Sequence, residues 1–253
     1  MQRWKSLLSK RFETLNSNNP QFATQSTVLD NVTDVTSNIL PRAAVALIIR
    51  LCPKGVPQVL LTKRASSLRS YAGDVCLPGG KYEQSDHNLV NTASRETKEE
   101  VGVPPDSLDF ISTLPMLPAG MERATAVTPV VFLLTKETEI IANASEVDAV
   151  FWVPLGVFLN ENTKKKPKSF TYEGKIKFST VAFDFFDVET QRTFLIWGFT
   201  ARLCVVCATV ALDTSPHFPF TALSITWSPS DGKVFLSEVI LRTSDVSALK
   251  SKI

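Results

Sequence analysis

The chain has 253 residues, 44% of them hydrophobic and 21% charged, with a formal net charge of +2. That length and mix suit a globular chain with a sizeable buried core, as one large domain or one domain with extensions. So small a net charge gives no argument for nucleic acid or an anionic membrane as partner, and any cations for an anionic substrate have to be placed locally. Trp4, Leu7, Leu8, Phe12 and Leu15, interleaved with Arg3, Lys5, Lys10 and Arg11, predict a basic amphipathic helix packed on the domain. A mitochondrial presequence is the alternative, and Glu13 weakens it. Residues 16–38 are rich in Ser, Thr, Asn and Gln and read as a loop or loose extension, so residues 1–40 stand apart as a helix with a polar tail. Residues 43–52 and 58–63 read as strands joined by a turn at 53–55. Residues 75–77 are short, and Pro78-Gly79-Gly80 predicts a stop to regular structure. Residues 88–101 have helical spacing, ended by Gly102 and Pro104.

Strand patterns recur at 108–114, 129–134 and 149–153, and residues 154–159 suggest a short helix. Lys164, Lys165, Lys166 and Lys168 read as a solvated loop, with a phosphate contact as the alternative. Residues 178–186 look like another strand. Residues 193–212 form one long apolar helical run; Arg202 at its centre and Gly198 favour a core helix over a membrane span. Cys52, Cys76, Cys204 and Cys207 lie in or beside apolar runs and read as reduced, buried thiols. Cys204 and Cys207 make a C-x-x-C without a second pair, and the histidines are only His87 and His217, so core packing is preferred to zinc or redox chemistry. The same scarcity argues against Ser-His-Asp or Cys-His catalysis. Strands and helices alternate without a regular βαβ beat, which predicts an α/β fold with a mixed sheet between helices. Ser251, Lys252 and Ile253 form a conservative variant of the Ser-Lys-Leu peroxisomal address.

The chemically informative stretch is Arg95-Glu96-Thr97-Lys98-Glu99-Glu100-Val101-Gly102. At about 100° per residue, Glu96, Glu99 and Glu100 fall within roughly 100° of arc. Val90, Ala93, Thr97 and Val101 gather on another face that can pack on a sheet. Three carboxylates on one strip repel each other unless cations compensate, and a hard divalent cation wants such a cluster of oxygens. Arg95, four residues before Glu99, can orient or neutralise it. Charge pattern alone leaves a solvated helix face equally open.

With Gly80 and the spaced acid Asp86, residues 95–102 resemble the signature of the Nudix hydrolases. The interval from Gly80 to Arg95 is one residue longer than usual, which leaves open whether Asp86 or Glu83 takes the acid's place. The upstream run Leu60-Leu61-Thr62-Lys63-Arg64-Ala65-Ser66-Ser67-Leu68-Arg69-Ser70-Tyr71-Ala72-Gly73, then Pro78-Gly79-Gly80, resembles the second motif of the coenzyme A diphosphatase branch, its peroxisomal members above all. That branch shares the longer loop and the Thr92-Ala93 pair; it more often has His at Tyr71 and Phe at Leu77.

The resemblance implies an α/β/α sandwich with a mixed central sheet over residues 41–212, followed by a C-terminal segment at 213–253. It implies hydrolysis of the pyrophosphate of coenzyme A or acyl-coenzyme A to 3′,5′-ADP and the 4′-phosphopantetheine. Glu96, Glu99 and Glu100 would ligate Mg²⁺ or Mn²⁺ beside Arg95, one of them also a candidate general base. Gly79 and Gly80 would bring backbone close, and Arg64 and Arg69 would contact phosphate, with plain surface charge as their alternative. Glu146 is a weaker candidate acid. Rival readings are a hydrolase of NADH, ADP-ribose or another nucleoside diphosphate derivative, and a catalytically silent nucleotide-binding domain; the second would be favoured by loss of a glutamate, and all three are present. The implied location is the peroxisome, through an import receptor reading the tail, with mitochondrion or cytosol as alternatives.

Overall fold

A computed structural model describes residues 1–18, 41–119, 125–172, 176–218, 220, 222–227 and 234–239. Helix α1 (Gln2–Asn18) is followed by strands β1 (Arg42–Leu51), β2 (Pro57–Arg64), β3 (Val75–Cys76) and β4 (Gly79–Lys81). Helix α2 (Leu89–Val101) comes next, then β5 (Leu108–Thr113), β6 (Leu117–Ala119), β7 (Thr125–Leu134) and β8 (Val147–Pro154). These eight strands form one sheet among the described residues. The sheet is mixed because β1 runs parallel to β7, while β2, β4 and the remaining pairs are antiparallel.

Burial on both faces of β1 explains the layers. Ala44, Ala46 and Ile48 face one side and Leu47 and Ile49 the other, all fully buried. A strand apolar on both faces needs cover on both. On the first face α2 lays Leu89, Ala93 and Val101 against Ala44, Ala46, Ile48, Val130 and Phe132. On the second, Leu8, Phe12 and Leu15 of α1 share a core with Cys204 and Cys207 of helix α3 (Gly198–Leu212). Arg11 Nη1 ties the two helices by donating to the Ala211 carbonyl at 2.5 Å. The fold is thus an α/β/α sandwich around a mixed sheet, as expected. A second sheet, β9 (Lys164–Tyr172), β10 (Ile176–Asp187) and β11 (Arg192–Trp197), is antiparallel. It docks through Phe194, whose ring stacks on Phe151 of β8 at 3.8 Å. A hairpin, β12 (Ala222–Trp227) and β13 (Val234–Val239), stands last.

Several expectations need correction. The apolar run at 193–212 is not one helix: it divides at Gly198, whose φ of 65° turns β11 into α3. Periodicity could not see this, because a buried strand and a buried helix are both continuously apolar. No helix among the described residues is long and apolar enough to cross a membrane. The lysine stretch begins β9 rather than a loop, paired with β10 from Lys164 onward. Gly79 and Gly80 do not stop regular structure; they pair with Val45 and Ala44. Asn16 and Ser17 continue α1, and Leu7 points outward at 39% exposure. Cys204 and Cys207 are buried free thiols, whereas Cys52 and Cys76 are partly exposed. Residues 19–38 and the tail at 251–253 lie outside the described residues.

Candidate active site

Helix α2 starts where Asn88, in extended conformation, accepts from the Asn91 amide at 2.9 Å, and it ends at Gly102 in the left-handed conformation. A side chain at φ 74° would be strained, so glycine closes the helix there and its N–H bonds Lys98 O. Between these caps the apolar face lies on β1, leaving Glu96, Glu99 and Glu100 along the edge that meets β4.

The glycines of β4 set how closely helix and strand meet. A Cβ on Gly79 would stand 2.7 Å from Val45 Cα, and one on Gly80 would stand 2.5 Å from Glu96 Cδ. A side chain at Gly79 would thus strike the backbone of β1, whereas one at Gly80 would displace the Glu96 carboxylate. The approach also lets the Gly79 N–H donate to the Glu100 carboxylate.

Arg95 is the hub of the acids. Its Nε donates to Asp86 Oδ1 at 2.7 Å and its Nη2 to Oδ2 at 3.2 Å, a two-pronged grip. Nη1 reaches Glu99 Oε2 at 2.8 Å, Nη2 lies 3.0 Å from Glu96 Oε1, and Nη2 also bonds Lys81 O. Asp86 in turn accepts from the Glu83 amide and from Thr92 Oγ1, each at 2.9 Å. Burial alone would raise its carboxyl, but these bonds from Arg95, Glu83 and Thr92 outweigh it and hold it below the usual range. The lengthened loop thus resolves into two roles. Asp86 is a buried anchor for Arg95, while the exposed Glu83 contributes backbone.

The three glutamates sit in different surroundings. Glu100 is 3% exposed, and its Oε2 is buried with no hydrogen-bond partner. Burial, then repulsion from Glu96, push its carboxyl up to about 8 against the pull of Arg64. Glu96 is also raised, first by burial, with Arg95 opposing and Glu99 and Glu146 adding. Glu99 has a half-exposed side chain held by Arg95. Among the described residues no three Asp, Glu, His or Cys side chains stand as a closed ligand set. Arg95 occupies oxygens of Glu96 and Glu99 that such a set would need.

Of the other expected residues, Arg64 stands at the end of β2 with its Nε buried and without a partner, close enough to Glu100 to act on its charge. Arg69 lies exposed on the turn between β2 and β3 and is not among the residues that line the cavity beside β4. Glu146, a weak candidate from sequence, is half-buried and bears on both Glu96 and Glu100; its carbonyl accepts from the Ala65 amide. That placement follows from the β2–β8 pairing, which no local pattern announces. Sequence reading gave Asp74 and Trp197 no role in the site. Trp197 Nε1 donates to Asp74 Oδ1 at 3.3 Å on the cavity wall, and the signal for it was a tryptophan directly before a glycine at a strand end.

Comparison with known proteins gives a consistent picture. The NUDIX domain profile matches residues 40–173. Peroxisomal coenzyme A diphosphatase NUDT7 of Mus musculus is 36% identical over 172 residues, covering 68% of this chain and 71% of that protein. Nudix hydrolase 15, mitochondrial, of Arabidopsis thaliana is 35% identical over 182 residues, covering 70% of this chain and 61% of that protein. The chain thus spans less than two thirds of the Arabidopsis protein's length. Among solved structures, a Nudix hydrolase from M. smegmatis, RenU, is similar at a TM-score of 0.40 and 24% identity, over 46% of this chain and 71% of that one.

Proposed function

The chain belongs to the NUDIX domain family, and from that premise we propose that residues 41–212 form a divalent-metal-dependent hydrolase of the pyrophosphate bond in coenzyme A and acyl-coenzyme A. The observation that carries the metal reading is the Glu100 Oε2 atom, buried without a donor beside Glu96. A carboxylate oxygen so placed is costly unless it is protonated or meets a cation. An all-oxygen set of Glu96, Glu99 and Glu100 suits Mg²⁺ or Mn²⁺. The substrate reading rests on the likeness to the mouse coenzyme A diphosphatase, on the run from Leu60 to Gly73, and on Arg64.

When bound, the ion would neutralise pyrophosphate charge and acidify a water. Glu96, Glu99 and Glu100 would hold it, and Asp86 would keep Arg95 in place beside them. The free Nε of Arg64 would donate to a phosphate oxygen. Gly79 and Gly80, without side chains, would let β1 and the Glu96 carboxylate stand directly against β4 beside the phosphate. A carboxylate of the cluster would accept the proton of the attacking water. That water forms the new P–O bond as the bridging P–O bond breaks, and the second phosphate leaves.

The test is a panel of coenzyme A, an acyl-coenzyme A, NADH and ADP-ribose with Mg²⁺. Release of 3′,5′-ADP from coenzyme A, at a kcat/KM above those for NADH and ADP-ribose, is the expected result. A preference for either of the latter would overturn the substrate assignment, and no hydrolysis at all would favour the silent binding domain.

A peroxisomal location belongs to the same reading, by likeness to the mouse protein's name and through residues 251–253; the Arabidopsis name supports a mitochondrial alternative. Tagged ahead of residue 1, the chain should colocalise with peroxisomes, and deleting residues 251–253 should disperse it to the cytosol. Mitochondrial retention of both forms would reject the peroxisomal assignment.

A further inference from the structure

Resting on the coenzyme A reading, we propose that the cavity beside β4 takes the acyl-pantetheine arm of the substrate, and that Trp197 and Phe199 at the β11–α3 junction set the acyl length it accepts. The cavity measures about 310 Å³ and lies between β3, β4 and that junction. Its near end is formed by Arg64, Gly79 and Gly80. These same residues face the acids: Gly80 abuts the Glu96 carboxylate, while Gly79 and Arg64 act on Glu100. A substrate with its diphosphate at the glutamates therefore enters this cavity with whatever it carries next along its chain.

The far wall decides what fits. Trp197, Phe199 and Thr200 line it together with Val45 and Val127, and the donors of Trp197 and Thr200 are already spent. Trp197 Nε1 is used by Asp74, and Thr200 Oγ1 donates to Val75 O at 3.1 Å. An adenine held against Trp197, Phe199 and Thr200 would find no free donor on them for its ring nitrogens, a cost that an aliphatic chain or a thioester does not incur. The wall is also rigid. Trp197 pairs with Ala182 in the second sheet, and Gly198 makes its turn with φ 65°, a conformation that fixes where Phe199 begins the helix. Trp197 and Phe199 lie outside residues 40–173 of the matched domain.

The experiment compares kcat/KM for coenzyme A with that for hexanoyl- and dodecanoyl-coenzyme A in wild type, Phe199→Ala and Phe199→Trp. Phe199→Ala should raise the dodecanoyl-to-coenzyme A ratio about tenfold, and Phe199→Trp should lower the hexanoyl-to-coenzyme A ratio by a similar factor, the scale of a few methylenes in an apolar pocket. Ratios within twofold of wild type in both variants overturn the proposal, including when all three substrates slow together. If Phe199→Ala fails to fold, Phe199→Leu takes its place. A wild type that cannot cleave coenzyme A defeats the underlying reading instead. The cavity is then judged by S-hexanoyl-pantetheine, which carries no diphosphate: it should quench tryptophan fluorescence in wild type and not in Trp197→Phe. Equal quenching in both, or none in wild type, rejects the assignment.

Discussion

Glu100→Gln is expected to lower turnover of the metal-loaded protein at least about a thousandfold, or ~4 kcal/mol at 1.36 kcal/mol per decade, while leaving the fold intact. The substitution keeps the shape of the side chain and its bond from the Gly79 N–H, and removes only the charge that the cation requires. The same variant has a second signature. In the folded metal-free protein the Glu100 carboxyl is pushed up to about 8 by burial and Glu96, whereas in the unfolded chain it titrates near the ordinary glutamate value. The folded state thus binds the proton more tightly. Its contribution to stability is full below the unfolded value and is lost as pH rises towards 8. Metal-free wild type should therefore melt at progressively lower temperature between pH 5 and pH 8.5, and Glu100→Gln should flatten that decline. Added Mg²⁺ should restore the wild type most at the alkaline end, because the ion replaces the proton. Turnover within tenfold of wild type, or an unchanged pH slope of melting, would reject the assigned role.

Asp86→Ala should cost about 3 kcal/mol of stability, the lower end of the range for deleting one partner of a buried ion pair. Asp86 is 4% exposed and accepts from Arg95, Thr92 and the Glu83 amide, so alanine strands three donors together. Turnover should fall as well, by about 10- to 100-fold, the range for residues that hold metal ligands in place. Arg95 would then keep Glu96 and Glu99 as its only charged partners among the described residues and compete more strongly with a cation for those two carboxylates. Denaturant unfolding and metal titration read the two effects separately. A change in stability below about 0.5 kcal/mol, typical of an ordinary surface position, would show that Asp86 is not the anchor described.

The acid helix was legible because its information is local. Asn88, the 3.6-residue period and Gly102 bound it to within a residue, and the spacing of Glu96, Glu99 and Glu100 follows from helix geometry alone. Their differences were not legible. Which glutamate is buried depends on how closely β4 approaches, and that depends on Gly79 and Gly80 pairing with β1 across more than thirty residues of chain. The same limit left Glu146 only a weak candidate and gave Trp197 no role, because both reach the site through strand pairing and a docked second sheet. The run at 193–212 failed for a different reason. Apolarity reports burial, and only the positive φ of Gly198 separates strand from helix within it.

The two faces of the central sheet also differ in when they can assemble. The face that carries the acids is built from residues 44 to 134, with Ile140, Val150 and Trp152 packed against them, so its contacts are complete once about three fifths of the chain has emerged. The opposite face cannot close so early: Leu8 and Phe12 wait for α3, and Arg11 bonds a carbonyl 200 residues away. Closing so long a loop is slow, and the exposed apolar side of the sheet invites association until it happens. During synthesis, then, the glutamate helix is in place while α1 is still undocked, and the cavity gains its far wall last.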